Sequence, residues 1–351
     1  MPLLFNRYFK EPLSLFYTAK PSYGGWVSFT AHLTHLTQSS IFKIAKRTEK
    51  RNRAFGYGCN YRNITTTDFL DMETIPKKCL FLAIDKYYYS QFEEFLAHPK
   101  SQSLDLYLVI HDPTELAGKK SLPLLTLLQN NKHVRLITIR PRVQKHVQEQ
   151  YGLSSLLMYH PFYRFPTNTL LDNTNTLLDN TNVVNSKFVS IARIDHDKHT
   201  DIITQANQRL LQDQKIKIYG AMNGFYAYKA LHKYDSMRKD DPESQYQGTF
   251  AKDWGVLQQI IRDNYSGYVV DLSIIKGDGG HTQYSFLEAI YLDCVLVLHR
   301  KWIQGSDSIF KEGVNCLAVE NSEELEHLVL SPLNLQKFQA ILQNSKSLIL
   351  T

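Results

Sequence analysis

Short apolar runs alternate along this chain with longer stretches whose apolar residues recur every three or four positions. In the first half the runs that read as strands are Ser14 to Ala19, Ser40 to Ile44, Cys79 to Ile84, Leu104 to Ile110 and Val134 to Ile139. Between them, Trp26 to Leu36 and Tyr88 to Leu96 carry helical spacing. A second series starts after residue 185, with strands expected at Lys187 to Ile191, Ile216 to Tyr219, Gly267 to Leu272, Val295 to Leu298 and Cys316 to Val319. Alternation of this kind predicts βα units around mainly parallel sheets, an α/β protein with two Rossmann-like halves. The polar repeat Asn168 to Thr174, copied at Asn175 to Thr181, has little apolar surface to bury and reads as an insertion. The expected organisation is therefore 1–165, a polar linker over 166–185, and 186–351.

Length and composition agree with this picture. A chain of 351 residues exceeds one common core, and 43% hydrophobic with 21% charged residues is ordinary for a folded protein. Net charge is +6, but it is concentrated: Lys43, Lys46, Arg47, Lys50, Arg51, Arg53 and Arg62 stand against the single acid Glu49. The segment from Lys43 to Arg62 reads as a solvated basic loop or helix face, or as a phosphate-binding surface in which Phe55, Tyr57 and Tyr61 are interleaved. Cys59, Cys79, Cys294 and Cys316 form neither a C-x-x-C pair nor a secreted disulfide pattern, so reduced thiols in a cytoplasmic protein are expected. The longest apolar runs fall short of a membrane span.

Candidate chemistry lies where strands hand over to helices. Gly277 to Gly280 form a glycine-rich turn before a helical run that carries Glu288. Such a turn offers backbone N–H groups and the positive end of a helix dipole to a phosphate or sugar hydroxyl, and a carboxylate one to two turns on can accept from a ribose diol. After the first strand come Gly24 and Gly25, which allow close backbone approach of a ligand. Arg193 and Lys198 leave the first strand of the second series together, a guanidinium fork and a point charge suited to a diphosphate, or else a surface turn paired with Asp195 and Asp197. Asp195-His-Asp197 is also a D-x-D triplet, which could hold a metal through oxygen ligands; with Arg193 and Lys198 flanking it, no metal is expected. His111, in Val109-Ile-His-Asp112, is either a group near the reacting sugar or a satisfied core histidine; His160 is given no chemistry. A dinucleotide oxidoreductase is disfavoured, because G-x-G-x-x-G is absent and Tyr226 to Lys229 misses the Tyr-x-x-x-Lys spacing by one residue.

These pieces resemble the C-terminal domain of GT-B glycosyltransferases, in the large retaining family that includes sucrose and glycogen synthases. The likeness is carried by Arg193 and Lys198, by Ile218-Tyr-Gly220, by Leu287-Glu-Ala289 and by Phe310 to Leu317, which is similar to that family's G-x-N-x-L-x-V ending. A narrower resemblance, through Gln283 to Glu288, His111-Asp112 and the order of elements, is to phage α-glucosyltransferases that modify hydroxymethylated cytosine in DNA. The resemblance implies two Rossmann-like domains facing each other across a cleft, a nucleotide sugar (UDP-glucose) as donor, no required cofactor, and retention of configuration. It further implies a donor site built from Gly24, Gly25, Arg193, Lys198, Tyr219, Gly220, Gly279, Gly280, His281, Thr282 and Glu288, with His111, Arg193, Lys198 and Asp278 at the reaction. One departure stands out: the family's second glutamate, eight residues before the ribose-binding one, is Gly280 here, which leaves Asp278 as the substitute. The acceptor implied is a hydroxymethylated base in double-stranded DNA held by Lys43 to Arg62. A glycan or lipid-linked acceptor, or a silent nucleotide-sugar-binding protein, is the alternative.

Overall fold

A computed structural model of the chain describes residues 9, 11–18, 24–82, 84, 88–111, 116, 122–166, 187–231, 244–264, 266–274, 281–305 and 308–350. The chain divides into two compact units, Met1–Tyr163 and Arg164–Thr351, each with its own sheet. The tandem repeat at 168–181, Asp112, Asp278, Gly279 and Gly280 lie outside the described residues.

In the first unit the strands are β1 Ser14–Tyr17, β2 Ser40–Ile44, β3 Arg53–Gly56, β4 Cys59–Ile64, β5 Lys78–Leu82, β6 Asp105–Ile110, β7 Val134–Thr138 and β8 Ser155–Leu157. They form one sheet in the order β3-β4-β2-β1-β5-β6-β7-β8, parallel except for the antiparallel β3–β4 hairpin at one edge. A continuous apolar run such as Leu-Phe-Tyr in β1 suits a central strand covered on both faces, and β1 is buried throughout. Its core is aromatic: Phe16 stacks on Phe81 at 4.7 Å between ring centroids and meets Phe69 and Phe95 edge-on.

The hairpin corrects the reading of the basic segment as a loop or helix face. Residues 53–56 and 59–64 pair as strands, and Tyr57, at φ 53, makes the turn together with Gly58 at φ 74. The hairpin is pinned from inside: the Tyr57 hydroxyl lies 2.9 Å from Ser28 Oγ, and the Tyr57 carbonyl lies 2.8 Å from His35 Nε2. Ser28 and His35 belong to the Gly24–Thr37 helix that follows β1.

The second unit has β9 Lys187–Ile191, β10 Lys217–Tyr219, β11 Tyr246–Gly248, β12 Ser266–Asp271, β13 Val295–His299 and β14 Leu317–Val319. All pair in parallel, in the order β11-β10-β9-β12-β13-β14. Counted from β9 this is 3-2-1-4-5-6, the doubly wound order, whose crevice opens at the carboxyl ends of the first and fourth strands. In this unit those strands are β9 and β12. Beneath them Phe188 and Tyr268 stack at 4.3 Å, and Tyr268 packs edge-on against Phe338.

Gly220, just after β10, shows how tightly this unit closes. A Cβ there would stand 1.8 Å from the Ala192 carbonyl oxygen, so the crossing of the β9 and β10 exits requires glycine. Among the described residues no helix is long and apolar enough to cross a membrane.

Candidate functional site

Lys198 lies at the switch point of the second sheet. The chain leaves β9 through Arg193, makes a single turn over His196–Lys198 opened by the Asp195 side chain on His196 N (2.8 Å), and enters the Thr200–Arg209 helix. The turn is tied to its neighbour by Ile274 N donating to the Asp197 carbonyl at 2.8 Å. That geometry sends Lys198 inward, with its side chain only 9% exposed. Its ammonium donates to Ser273 Oγ at 2.6 Å and Gln283 Oε1 at 2.7 Å, and lies 3.5 Å from Asp271 Oδ2. Asp271 closes β12 and is 1% exposed. A buried ammonium is tolerable only with such partners, because an isolated one pays the full cost of leaving water.

Arg193 behaves differently. Its guanidinium is exposed and pairs within its own turn, 3.2 Å from Asp195 Oδ2 and 2.9 Å from Asp197 Oδ2. Of the two cations expected together, one is thus held at the surface and the other drawn inside. The D-x-D carboxylates are engaged too, for Asp195 also accepts from Asn223 Nδ2 at 2.9 Å.

Glu288 sits on the Tyr284–Tyr291 helix and is buried. Neither this helix nor the Thr200–Arg209 helix is capped by the side chain of its N-cap residue. Gln283 turns its amide to Lys198 instead, which leaves two helix N-termini beside a buried cation at the carboxyl end of the sheet. Burial, with the Glu288 charge as the lesser cause, pushes the Tyr284 phenol well above its usual range, so that side chain is a neutral wall. His281 and Thr282 lead into the helix, and the His281 carbonyl accepts from Trp302 Nε1 at 3.1 Å. Tyr219 gives its hydroxyl to the fold, accepting from Asn264 Nδ2 at 3.0 Å, and the Gly220 carbonyl accepts from Tyr246 at 3.1 Å.

In the first unit, His111 follows β6 and its ring lies 5.1 Å from Trp26 and 5.8 Å from His160. Trp26 stands next to Gly25, where an added Cβ would meet nothing within 4 Å, so internal packing does not demand glycine there. The sequence reading passed over His160. Its place comes from the segment before Arg164: His32 stacks on Phe162 at 4.8 Å and its Nδ1 accepts from Tyr163 N at 2.9 Å, while His35 stacks on Tyr163 at 4.9 Å. These contacts fold residues 160–163 onto the Gly24–Thr37 helix. Within the basic hairpin region, Lys46, Arg47, Lys50 and Arg51 are exposed, Arg53 pairs with Glu49, and Arg62 and Lys43 cover the rings of Phe42 and Tyr88.

The four thiols are free and buried. Burial raises Cys59 to about 11 and Cys79 and Cys316 to about 12, which leaves no nucleophilic thiolate among them. Among the described residues no group of three His, Cys, Asp or Glu side chains is arranged to hold a metal ion.

No protein-family model matches the chain, and no curated protein matches its sequence. Solved structures do match over nearly all of it. Anabaena HepE in complex with UDP-glucose is 14% identical with a TM-score of 0.63, over 96% of this chain and 94% of that one. An alpha-glucosyltransferase in complex with UDP and a 13-mer DNA containing a HMU base is 11% identical with a TM-score of 0.65, over 95% and 94%. The same enzyme class in complex with UDP gives a TM-score of 0.65 at 10% identity, over 95% of each chain. The chain therefore has the fold of these structures, the GT-B fold that the sequence resemblance implied.

Proposed function

We propose that this chain is a glycosyltransferase that moves glucose from UDP-glucose to the hydroxyl of a hydroxymethylated base in DNA, with retention at the anomeric carbon. The observation that carries the reading is the position of Lys198. It is a buried, hydrogen-bonded ammonium at the switch point between β9 and β12, with Arg193 on the same turn and Glu288 on the helix that follows β12. Structural neighbours across the whole length bind UDP or UDP-glucose.

In this reading Lys198 and Arg193 meet the charge that grows on the departing diphosphate, and preorganised cations do this without reorganisation at the moment of reaction. Glu288 accepts from the ribose hydroxyls. Gly279, Gly280, His281 and Thr282 present backbone to the phosphates and sugar, Tyr219 and Gly220 border the nucleotide, and Asp278 takes the sugar contact that the family's missing glutamate leaves open. With cations supplied by the protein, the reaction needs no metal. On the first unit, Gly24 and Gly25 admit the donor, and His111 contacts the hexose beside Trp26 and His160. Lys46, Arg47, Lys50 and Arg51 provide the phosphate contacts for duplex DNA, a partner recognised through its backbone charge. The reading includes a cytoplasmic reaction.

The test is nucleotide release from UDP-, GDP- and ADP-sugars, with and without hydroxymethylcytosine DNA, followed by mass spectrometry of the DNA. UDP release with a hexose mass on the base is the expected result. Turnover of a donor without labelling of DNA would move the acceptor to a glycan, and absence of turnover with every donor would leave a nucleotide-sugar-binding protein.

A further inference from the structure

We infer that Asp271 is the positioning counter-ion of Lys198: it holds the buried ammonium in place and aimed at the diphosphate, while Gln283 is the partner that the diphosphate displaces. The inference deepens the proposed donor site and rests on that reading. Three acceptors surround the ammonium, and they are unequal. Ser273 Oγ at 2.6 Å and Gln283 Oε1 at 2.7 Å make close hydrogen bonds, whereas Asp271 Oδ2 stands back at 3.5 Å. Ser273 bridges the two charges, because its hydroxyl donates to Asp271 Oδ1 while accepting from Lys198. Asp271 is itself locked: Oδ1 also accepts from Ser273 N at 3.1 Å, and Oδ2 from Ser285 Oγ at 3.4 Å. As the last residue of a central strand, buried to 1% exposure, it has no room to move.

Gln283 differs in both respects. It is the N-cap residue of the Tyr284–Tyr291 helix and spends its side chain on Lys198 rather than on the helix end. Its Nε2 finds no hydrogen-bond partner among the described residues. A phosphate oxygen arriving at the helix N-terminus can take over the hydrogen bond now made by Gln283 Oε1, and Ser273 and Asp271 stay in place. A bland structural ion pair is a poor account of this arrangement, since burying two opposite charges gives little stability over an apolar pair of the same size.

The experiment titrates UDP and uridine into the full-length protein, its Asp271→Asn and Lys198→Ala variants, and the double variant. Asp271→Asn is expected to weaken UDP about tenfold or more, the scale of hydrogen bonds to a charged group, and to leave uridine unchanged. In the Lys198→Ala background Asp271→Asn is expected to have no further effect on UDP, which is the signature of action through Lys198. Equal losses for UDP and uridine would reveal a merely structural role. Tighter UDP binding in Asp271→Asn would show that the carboxylate competes with the diphosphate, and either result overturns the inference while the donor site stands. If the wild-type protein binds no UDP, the donor site and the inference fall together. Should Asp271→Asn not fold, Gln283→Ala decides: UDP affinity at or above wild type is expected, and a tenfold loss would make Gln283 the holder instead of the displaced partner.

Discussion

The two units place different chemistry at the same kind of position. In the second, the crevice at the ends of β9 and β12 holds a buried ion pair in a net of hydroxyls and an amide. In the first, the residues that follow β1, β6 and β8 supply a chain of three rings: Trp26 lies 5.1 Å from His111, and His111 lies 5.8 Å from His160. Parallel strands deliver both sets to a carboxyl edge, as the topology dictates. The side chains then differ: a fixed, buried ion pair in the second unit, polarizable rings in the first. Fold alone therefore says where a ligand goes, and the residues that follow each strand say what kind.

The sharpest way to break this contrast is Lys198→Ala. It is expected to lower UDP-glucose affinity by two orders of magnitude or more, and to cost about 3 kcal/mol of stability because Asp271 is left buried without its cation. Calorimetric titration and a denaturant melt read the two effects separately. Next comes a comparison of glycines: Gly220→Ala should cost roughly 2–3 kcal/mol through the contact with the Ala192 carbonyl, whereas Gly25→Ala, with open space around it, should leave the melting temperature unchanged. Equal melting temperatures for the two variants would contradict the packing described here. Third, His111→Ala is expected to lower kcat roughly a hundredfold, the scale of losing one well-placed donor, with UDP affinity preserved; a loss of UDP binding instead would erase the distinction between the units. The smallest effect is expected for Tyr219→Phe, about 1 kcal/mol for the hydrogen bond from Asn264, with UDP affinity unchanged if only the ring borders the nucleotide.

Much of this architecture was legible in the apolar runs, because central parallel strands are covered on both faces and cannot hide their composition. Ser40–Ile44 and Lys187–Ile191 fall where the pattern placed them. The β3–β4 hairpin was not legible: Arg-Ala-Phe-Gly is the edge strand and Cys-Asn-Tyr-Arg-Asn-Ile its neighbour, both rich in polar residues, and no period of two survives in them. The site was half legible. Arg193 and Lys198 were found from the strand-to-helix handover, but only the turn geometry reveals that one faces out and the other in. Asp271 had a signal, an acid ending the run Val269-Val270, yet its partner lies 73 residues away and is identified only by the strand order. His160 gave no local signal at all, since its position is set by rings stacking at His32 and His35.

The antiparallel hairpin has a consequence for handling the protein. β3 is the outermost strand of its sheet, and an outermost strand offers unpaired backbone to any neighbouring molecule. The crowd of lysines and arginines leading into it, from Lys46 to Arg53, repels a second copy of the same edge. Colloidal behaviour and polyanion capture would then share one set of side chains. Neutralising those cations to test the proposed DNA contact is expected to promote self-association as well, so light scattering belongs beside every such binding curve.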